Sequence, residues 1–336
     1  MMMPQHPYLR LFLIAAAAMG QIRLEAATLS QPRIEYLRTV PSVSEFTRPR
    51  GFFAKMINWL AGSADDKPEL LRPYATTQDS TGRLLVADPG QHGVHIYDFE
   101  RRKYQFLKGP RGKALESPID LACDFNDDIY VSDSVRKQIY VFDARGRFLR
   151  TIGGAGPEAR LERPTGMALD RVARRIYLTD TLRHQLLVFG MDGSLIRAIG
   201  RRGPGPGEFN FPTAVTLSAG TVYVVDAMNF RIQAFTPDGR FVNAFGQLGI
   251  QTGTLNRPKG IAADTDGNLY IVDALFETVQ VFDSAGRVLY YFGSSGTGPA
   301  QFQLPSGISI DNRNRIYIAD SLNRRVQIFR YRRAGE

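Results

Sequence analysis

One short pattern recurs six times along this chain and constrains its fold more than any bulk property. Each unit opens with a proline and an apolar run, continues as apolar-Tyr-apolar-x-Asp or a close variant, passes through apolar-x-apolar-Phe, and closes near Gly-Arg-apolar. The aspartates are Asp88, Asp133, Asp180, Asp226, Asp273 and Asp320, spaced 45, 47, 46, 47 and 47 residues apart. The opening prolines are Pro73, Pro118, Pro164, Pro212, Pro258 and Pro305, spaced 45, 46, 48, 46 and 47. Two independent markers with one period define an internal repeat. The fifth unit shows the content of each repeat: runs 260–263, 269–272, 279–282 and 287–292, rich in β-branched and aromatic residues. Such runs favour strands, and the Asp/Gly-rich segments between them are turn chemistry. One four-stranded sheet cannot bury both of its faces, but a ring of such sheets can. The spacing therefore predicts an all-β fold: a six-bladed β-propeller of four-stranded antiparallel blades.

The kind of blade can be narrowed. Trp59 is the single tryptophan and lies outside every unit, which excludes WD-type blades, and no Gly-Gly pair recurs as kelch blades require. The segments 323–329 (Asn-Arg-Arg-Val-Gln-Ile-Phe, after Asp320) and 184–189 (His-Gln-Leu-Leu-Val-Phe, after Asp180) instead resemble NHL repeats. The likeness covers residues 73–330 and implies a fold rather than an activity.

The sixth unit supplies only three strands, ending at residues 326–330. The segment Tyr36-Leu37-Arg38-Thr39-Val40 matches Phe148-Leu149-Arg150-Thr151-Ile152, the fourth strand of the second unit. Residues 33–40 are thus expected to complete the sixth blade and remove an open sheet edge. Three regions follow: 1–26, 27–72 with the closing strand and one short apolar helix, and 73–336 as the propeller. In the first, Arg10 precedes a nine-residue apolar run, 11–19, with small residues after it, the form of a secretory signal peptide and too short to span a membrane. A periplasmic or secreted protein is expected. The helix is placed at 51–62, where Phe52, Phe53, Met56, Ile57, Trp59 and Leu60 precede Gly62. A lone cysteine, Cys123, in a first strand excludes an internal disulfide framework and reads as a buried hydrophobe.

Composition adds one functional hint. The formal net charge is +9, and 35 of the 42 basic residues are arginine, whose planar fork suits carboxylate, phosphate or sulfate. In a propeller, the loops between second and third strands share a face with the connections between blades. After the repeated aspartates that face carries Arg136, Lys137, Arg183, His184, Arg231, Arg324 and Arg325; the inter-blade loops add Arg163, Arg201, Arg202, Arg257 and Lys259. The repeated aspartates themselves read as acceptors for loop N–H groups in tight turns. The chain is accordingly expected to be an exported, monomeric binding or scaffold propeller. It would dock a protein, peptide or anionic ligand on its basic face, with no cofactor, no catalytic residue, no nucleic acid and no stable membrane span. RNA binding, which basic NHL domains of tripartite-motif proteins would imply, is opposed by the export signal.

The alternative is a metal-dependent lyase or lactonase-type hydrolase with the ion in the central channel. Similar propellers in peptidylglycine amidating lyases hold zinc with histidines from alternate blades; the matching positions here are His92, His184 and Glu277, a set chemically able to bind zinc. A lactonase-like calcium site would draw on Asp124, Asp170, Asp264 and Asp311, which end first strands and also abut turns.

Overall fold

The computed structural model describes residues 34–47, 68–154 and 156–332. Residues 1–26, expected to be a signal peptide, and the apolar stretch 51–62 with Trp59, expected to be a helix, lie outside the described residues. Six four-stranded antiparallel sheets follow one another around a common axis. Blade one is built from Ala75–Gln78, Leu84–Asp88, Gly93–Asp98 and Lys103–Leu107; blade two from Pro118–Cys123, Ile129–Asp133, Gln138–Phe142 and Phe148–Ile152. Blade three uses Pro164–Asp170, Arg175–Asp180, Gln185–Gly190 and Leu195–Ile199; blade four Pro212–Ser218, Thr221–Asp226, Arg231–Phe235 and Phe241–Phe245. Blade five uses Pro258–Ala263, Leu269–Asp273, Thr278–Phe282 and Val288–Phe292. Blade six takes Pro305–Ile310, Arg315–Asp320 and Arg325–Tyr331, and its fourth strand is Ile34–Thr39. The expected closure at 33–40 is therefore what the chain does, with Tyr36 opposite Phe329 and Thr39 opposite Gln327.

The apolar core explains why six sheets are needed. It divides into clusters that each straddle two neighbouring blades rather than filling one. Leu85, Val94 and Ile96 of blade one pack with Leu121, Ile129 and Tyr140 of blade two. Val272, Val279 and Val281 of blade five pack with Ile316, Ile318 and Phe329 of blade six. Second and third strands are buried almost throughout, so they read as largely apolar runs. Fourth strands alternate exposed and half-buried residues because they form the rim. Cys123 is buried in the first of these clusters, and burial pushes its thiol up to about 12, so it stays protonated and inert.

The closing segment does more than finish a sheet. After the strand, Val40, Val43 and Phe46 enter the cluster between blades six and one with Val86, Tyr97, Val326 and Ile328. A short helix, Val43–Thr47, which the sequence pattern did not indicate, carries two of them. Its first turn is held by Glu69, whose carboxylate accepts the Val43 and Ser44 N–H groups at 2.7 and 2.8 Å. The latch thus ties the last blade to the first.

Candidate functional site

The six repeated aspartates are fully buried, and each joins two pieces of chain. Asp133 accepts the N–H groups of Val135 and Arg136 in its own turn and those of Glu116 and Ser117 in the incoming inter-blade loop. Asp88 does the same with Gly90, Gln91, Leu71 and Arg72. Burial would raise the Asp88 carboxyl; the His95 imidazole and the Leu71 and Arg72 N–H groups outweigh it and hold the carboxyl below its ordinary value. His95 Nε2 lies 3.5 Å from Asp88 Oδ2, an electrostatic contact rather than a formed hydrogen bond, while its Nδ1 meets the Tyr104 hydroxyl at 2.9 Å. The aspartates are fold-building groups, as their repetition suggested, but their reach extends from the local turn to the loop feeding the same blade.

Four residues after each aspartate the backbone takes a left-handed conformation: His92, Lys137, His184, Phe230, Glu277 and Arg324 all have φ between 53° and 57°. Four of these side chains reach forward to the loop that feeds the next blade. His92 Nδ1 meets the Glu116 carbonyl at 2.5 Å, and Lys137 Nζ pairs with Glu162 at 3.0 Å. His184 Nδ1 accepts the Phe211 N–H at 3.1 Å, and Glu277 accepts the Leu304 N–H at 3.2 Å. Burial first, then the Arg202 charge, depresses the His184 imidazole, consistent with a neutral ring whose Nδ1 accepts. His92, His184 and Glu277 each serve a different blade junction. Among the described residues no group of three or more His, Cys, Asp or Glu side chains is placed to hold a metal ion. Asp124, Asp264 and Asp311 close turns on the opposite face by accepting N–H groups two and four residues on. Asp170 likewise accepts the Ala173 N–H.

Several expected basic residues are also committed to the scaffold. Arg231 pairs with Asp226 and donates to the Gly205 and Glu208 carbonyls; Arg325 repeats this with Asp320, Gly298 and Gln301. Arg183 donates to the carbonyls of Glu158 and Arg160, and Arg136 pairs with Glu116. Arg201 pairs with Glu208. Arg202 and Arg324 are exposed on the same face.

A different set converges on the axis. The first strands of all six blades surround a small cavity of about 40 Å³, lined among others by Tyr74, Asp120, Thr213, Lys259 and Ser306. Directly before the opening prolines of blades one, three and five stand Arg72, Arg163 and Arg257; the intervening blades have Ser117, Phe211 and Leu304 there. A residue before proline is restricted to extended backbone. Each arginine N–H is further fixed by its blade's aspartate, at 2.9 Å to Asp88, 2.9 Å to Asp180 and 3.1 Å to Asp273. All three arginines are exposed, and among the described residues none of the three guanidinium groups has a carboxylate or hydrogen-bond partner. All three charges act on the Tyr74 hydroxyl, which burial raises above its ordinary value. Burial first, then Arg257 and Arg72, brings the Lys259 amine down to about 8, and its Nζ sits 5.6 Å from the Tyr74 ring centre. Asp120 accepts the Leu121 and Met167 N–H groups at 2.8 Å each, yet burial pushes its carboxyl up to about 7. Sequence reasoning named Arg163, Arg257 and Lys259 but missed Arg72, Tyr74 and Asp120. The available signal was an Arg-Pro pair in every second repeat.

A family model described as a 6-bladed beta-propeller matches residues 113–159, 167–244 and 257–332. No curated protein matches the chain. Solved structures with the same fold include a virginiamycin B lyase from Staphylococcus aureus, 15% identical, covering 77% of this chain and 95% of that one with a TM-score of 0.58. An auxiliary nutrient binding protein from Bacteroides thetaiotaomicron is 14% identical, covering 80% of this chain and 71% of that one, with a TM-score of 0.61. A protein of unknown function from the same organism is 17% identical over 79% and 70% of the two chains, with a TM-score of 0.62. At these identities the likeness is one of fold.

Proposed function

The chain belongs to the DUF5128 family of 6-bladed beta-propellers, and from that premise we propose that it is an exported binding propeller that captures an anionic ligand at the axial mouth of its basic face. One observation carries the reading: Arg72, Arg163 and Arg257, from alternate blades, are exposed without counter-charges among the described residues, and all three act on Tyr74, which lines the axial cavity. Like charges held together destabilise the empty site, and a carboxylate, phosphate or sulfate relieves that repulsion while accepting the guanidinium forks. Lys259 below the rim adds a further cation. The nutrient-binding neighbour supports a ligand-capturing role for this fold. The axial cavity holds only about 40 Å³, so on this reading a charged group sits at it while the rest of the ligand lies across the face.

The metal-dependent alternative has one carboxylate, Asp120, in the axial cavity and no donor set around it among the described residues. Stoichiometric zinc or calcium in purified protein would favour that reading.

The test is thermal unfolding with inorganic phosphate, sulfate and citrate as probes, on the wild type and on R72Q/R163Q/R257Q. Ligand at one hundred times its dissociation constant stabilises by about 2.7 kcal/mol. A rise in Tm of several degrees in the wild type, absent in the triple variant at equal unliganded Tm, is the expected result. Equal shifts in both proteins would refute the axial site.

A further inference from the structure

The same face carries a second repeated feature. Two residues after the repeated aspartates of blades two to six stand Val135, Leu182, Met228, Leu275 and Leu322. Blade one has Gly90 there, and its place is filled from elsewhere. A Cβ built on Gly90 would lie 3.1 Å from the Leu71 side chain, so Leu71 occupies the sixth position. All six side chains are between 41 and 56% exposed. Single exposed aliphatic residues are ordinary on protein surfaces. Six at equivalent loop tips are different, because the backbone positions are related by the blade repeat and nothing in the turn requires an apolar side chain. They form a ring on one face of the propeller, surrounding the cationic axial mouth, with Arg202 and Arg324 also exposed among them.

We propose that this face docks on an anionic phospholipid surface, the aliphatic ring entering the headgroup boundary while the arginines meet lipid phosphates. Three observations favour a bilayer over a folded partner. The apolar residues are separate points around a ring, not a continuous groove that a helix or strand could fill. They are valine, leucine and methionine rather than the tryptophan and tyrosine that anchor protein interfaces. Their surroundings are cationic, which complements an anionic membrane, and isolated insertions with nearby basic residues suit a fluid surface. No helix among the described residues is long and apolar enough to span a bilayer, so the attachment is peripheral. This inference does not depend on the axial ligand site, although a lipid phosphate could occupy it.

Co-flotation of the whole chain with phosphatidylcholine vesicles, with and without 30% phosphatidylglycerol, tests it. The wild type is expected to float only with the anionic vesicles and to be released by raised salt. The variant L182N/L275N/L322N keeps every arginine and should keep its Tm. Burial of a half-exposed aliphatic side chain is worth about fivefold in partitioning, so the triple variant should lose on the order of a hundredfold. Absence of wild-type flotation, or flotation unchanged in the triple variant, would overturn the proposal. The two wild-type assays separate the two readings. If vesicle binding fails while the phosphate-induced Tm shift persists in the wild type, only the docking surface is lost. Vesicle binding without any phosphate shift would remove the axial site alone.

Discussion

Arg163 gives its backbone N–H to Asp180 Oδ1 at 2.9 Å, and its guanidinium acts on the Tyr74 hydroxyl two blades away. A buried fold-building carboxylate thereby fixes the base of a ligand-facing side chain. Asp180 also accepts the Glu162 N–H at 2.7 Å and the Arg183 N–H at 3.3 Å. Asp180→Ala removes a charged acceptor and strands buried donors, and should cost about 3 kcal/mol of stability. Urea unfolding would read this as a lower midpoint at unchanged slope. Because the Arg163 backbone loses its anchor, the variant should also bind phosphate more weakly than its remaining folded fraction explains. An unchanged midpoint would mean that the aspartates are not structural.

The ring closes where Tyr36 packs edge-on against Phe329, their centroids 5.6 Å apart. Closure is completed by Val40 N–H donating to the Val326 carbonyl at 2.9 Å and by Val43 and Phe46 in the shared core. Burying these side chains contributes roughly 1.5–3 kcal/mol for each one fully removed from water. The whole domain is stable by only about 5–15 kcal/mol. Deleting residues 27–42 should therefore leave little folded protein at 37 °C, and Tyr36→Ala alone should lower stability by about 1–2 kcal/mol. A deletion variant that melts at the wild-type temperature would show that the latch is dispensable.

The period made blade number, strand order and closure legible, because a 46-residue repeat with one buried aspartate per unit has few ways to bury its sheets. The site was only half legible. Arg231 and Arg325 looked like ligand-binding groups from their positions, but their aspartates and loop carbonyls absorb them, and partner choice is not written in a local pattern. Arg72 was missed for a different reason: it precedes the first unit, so it does not read as an inter-blade residue, although it shares the Arg-Pro pair of Arg163 and Arg257. Tyr74 carried no repeated signal, and only the closed ring brings it beside all three. The roles of His92, His184 and Glu277 depended on the left-handed turn, which aims each at a neighbouring blade.

Anion capture should weaken as pH rises from 6 to 9, in two steps. Asp120 carries a proton below about 7 and becomes a negative neighbour of the ligand above it. Lys259 loses its charge above about 8. Asp120→Asn should remove the lower step and Lys259→Met the upper one, read as the Tm shift induced by sulfate, whose charge is constant over this range, at each pH. The same groups shape unliganded stability. Between pH 4 and 7 the folded state holds a proton on Asp120 that the unfolded chain releases, so stability falls as pH rises through this window. Between about 8 and 10.5 the unfolded chain holds the extra proton on Lys259, so stability rises with pH. A pH-independent sulfate effect in the wild type would separate both groups from the site.

His184 couples blade three to blade four through its neutral ring, so acid should loosen that junction. Its depressed pKa means that the unfolded chain binds the proton more tightly below the ordinary value of 6.5. The contribution is complete above 6.5 and is lost as pH falls through the window beneath it. Protonation also turns Nδ1 from acceptor to donor, against the Phe211 N–H at 3.1 Å. His184→Asn tolerates the left-handed φ of 56° and retains an acceptor without titrating. Its Tm should fall less than that of the wild type between pH 7.5 and 5.5. His184→Leu lacks the acceptor and strains the turn, and should cost about 1–3 kcal/mol at neutral pH. The difference between wild type and His184→Asn isolates this ring from His92 and His95. Parallel acid profiles for the two proteins would show that the junction does not sense pH.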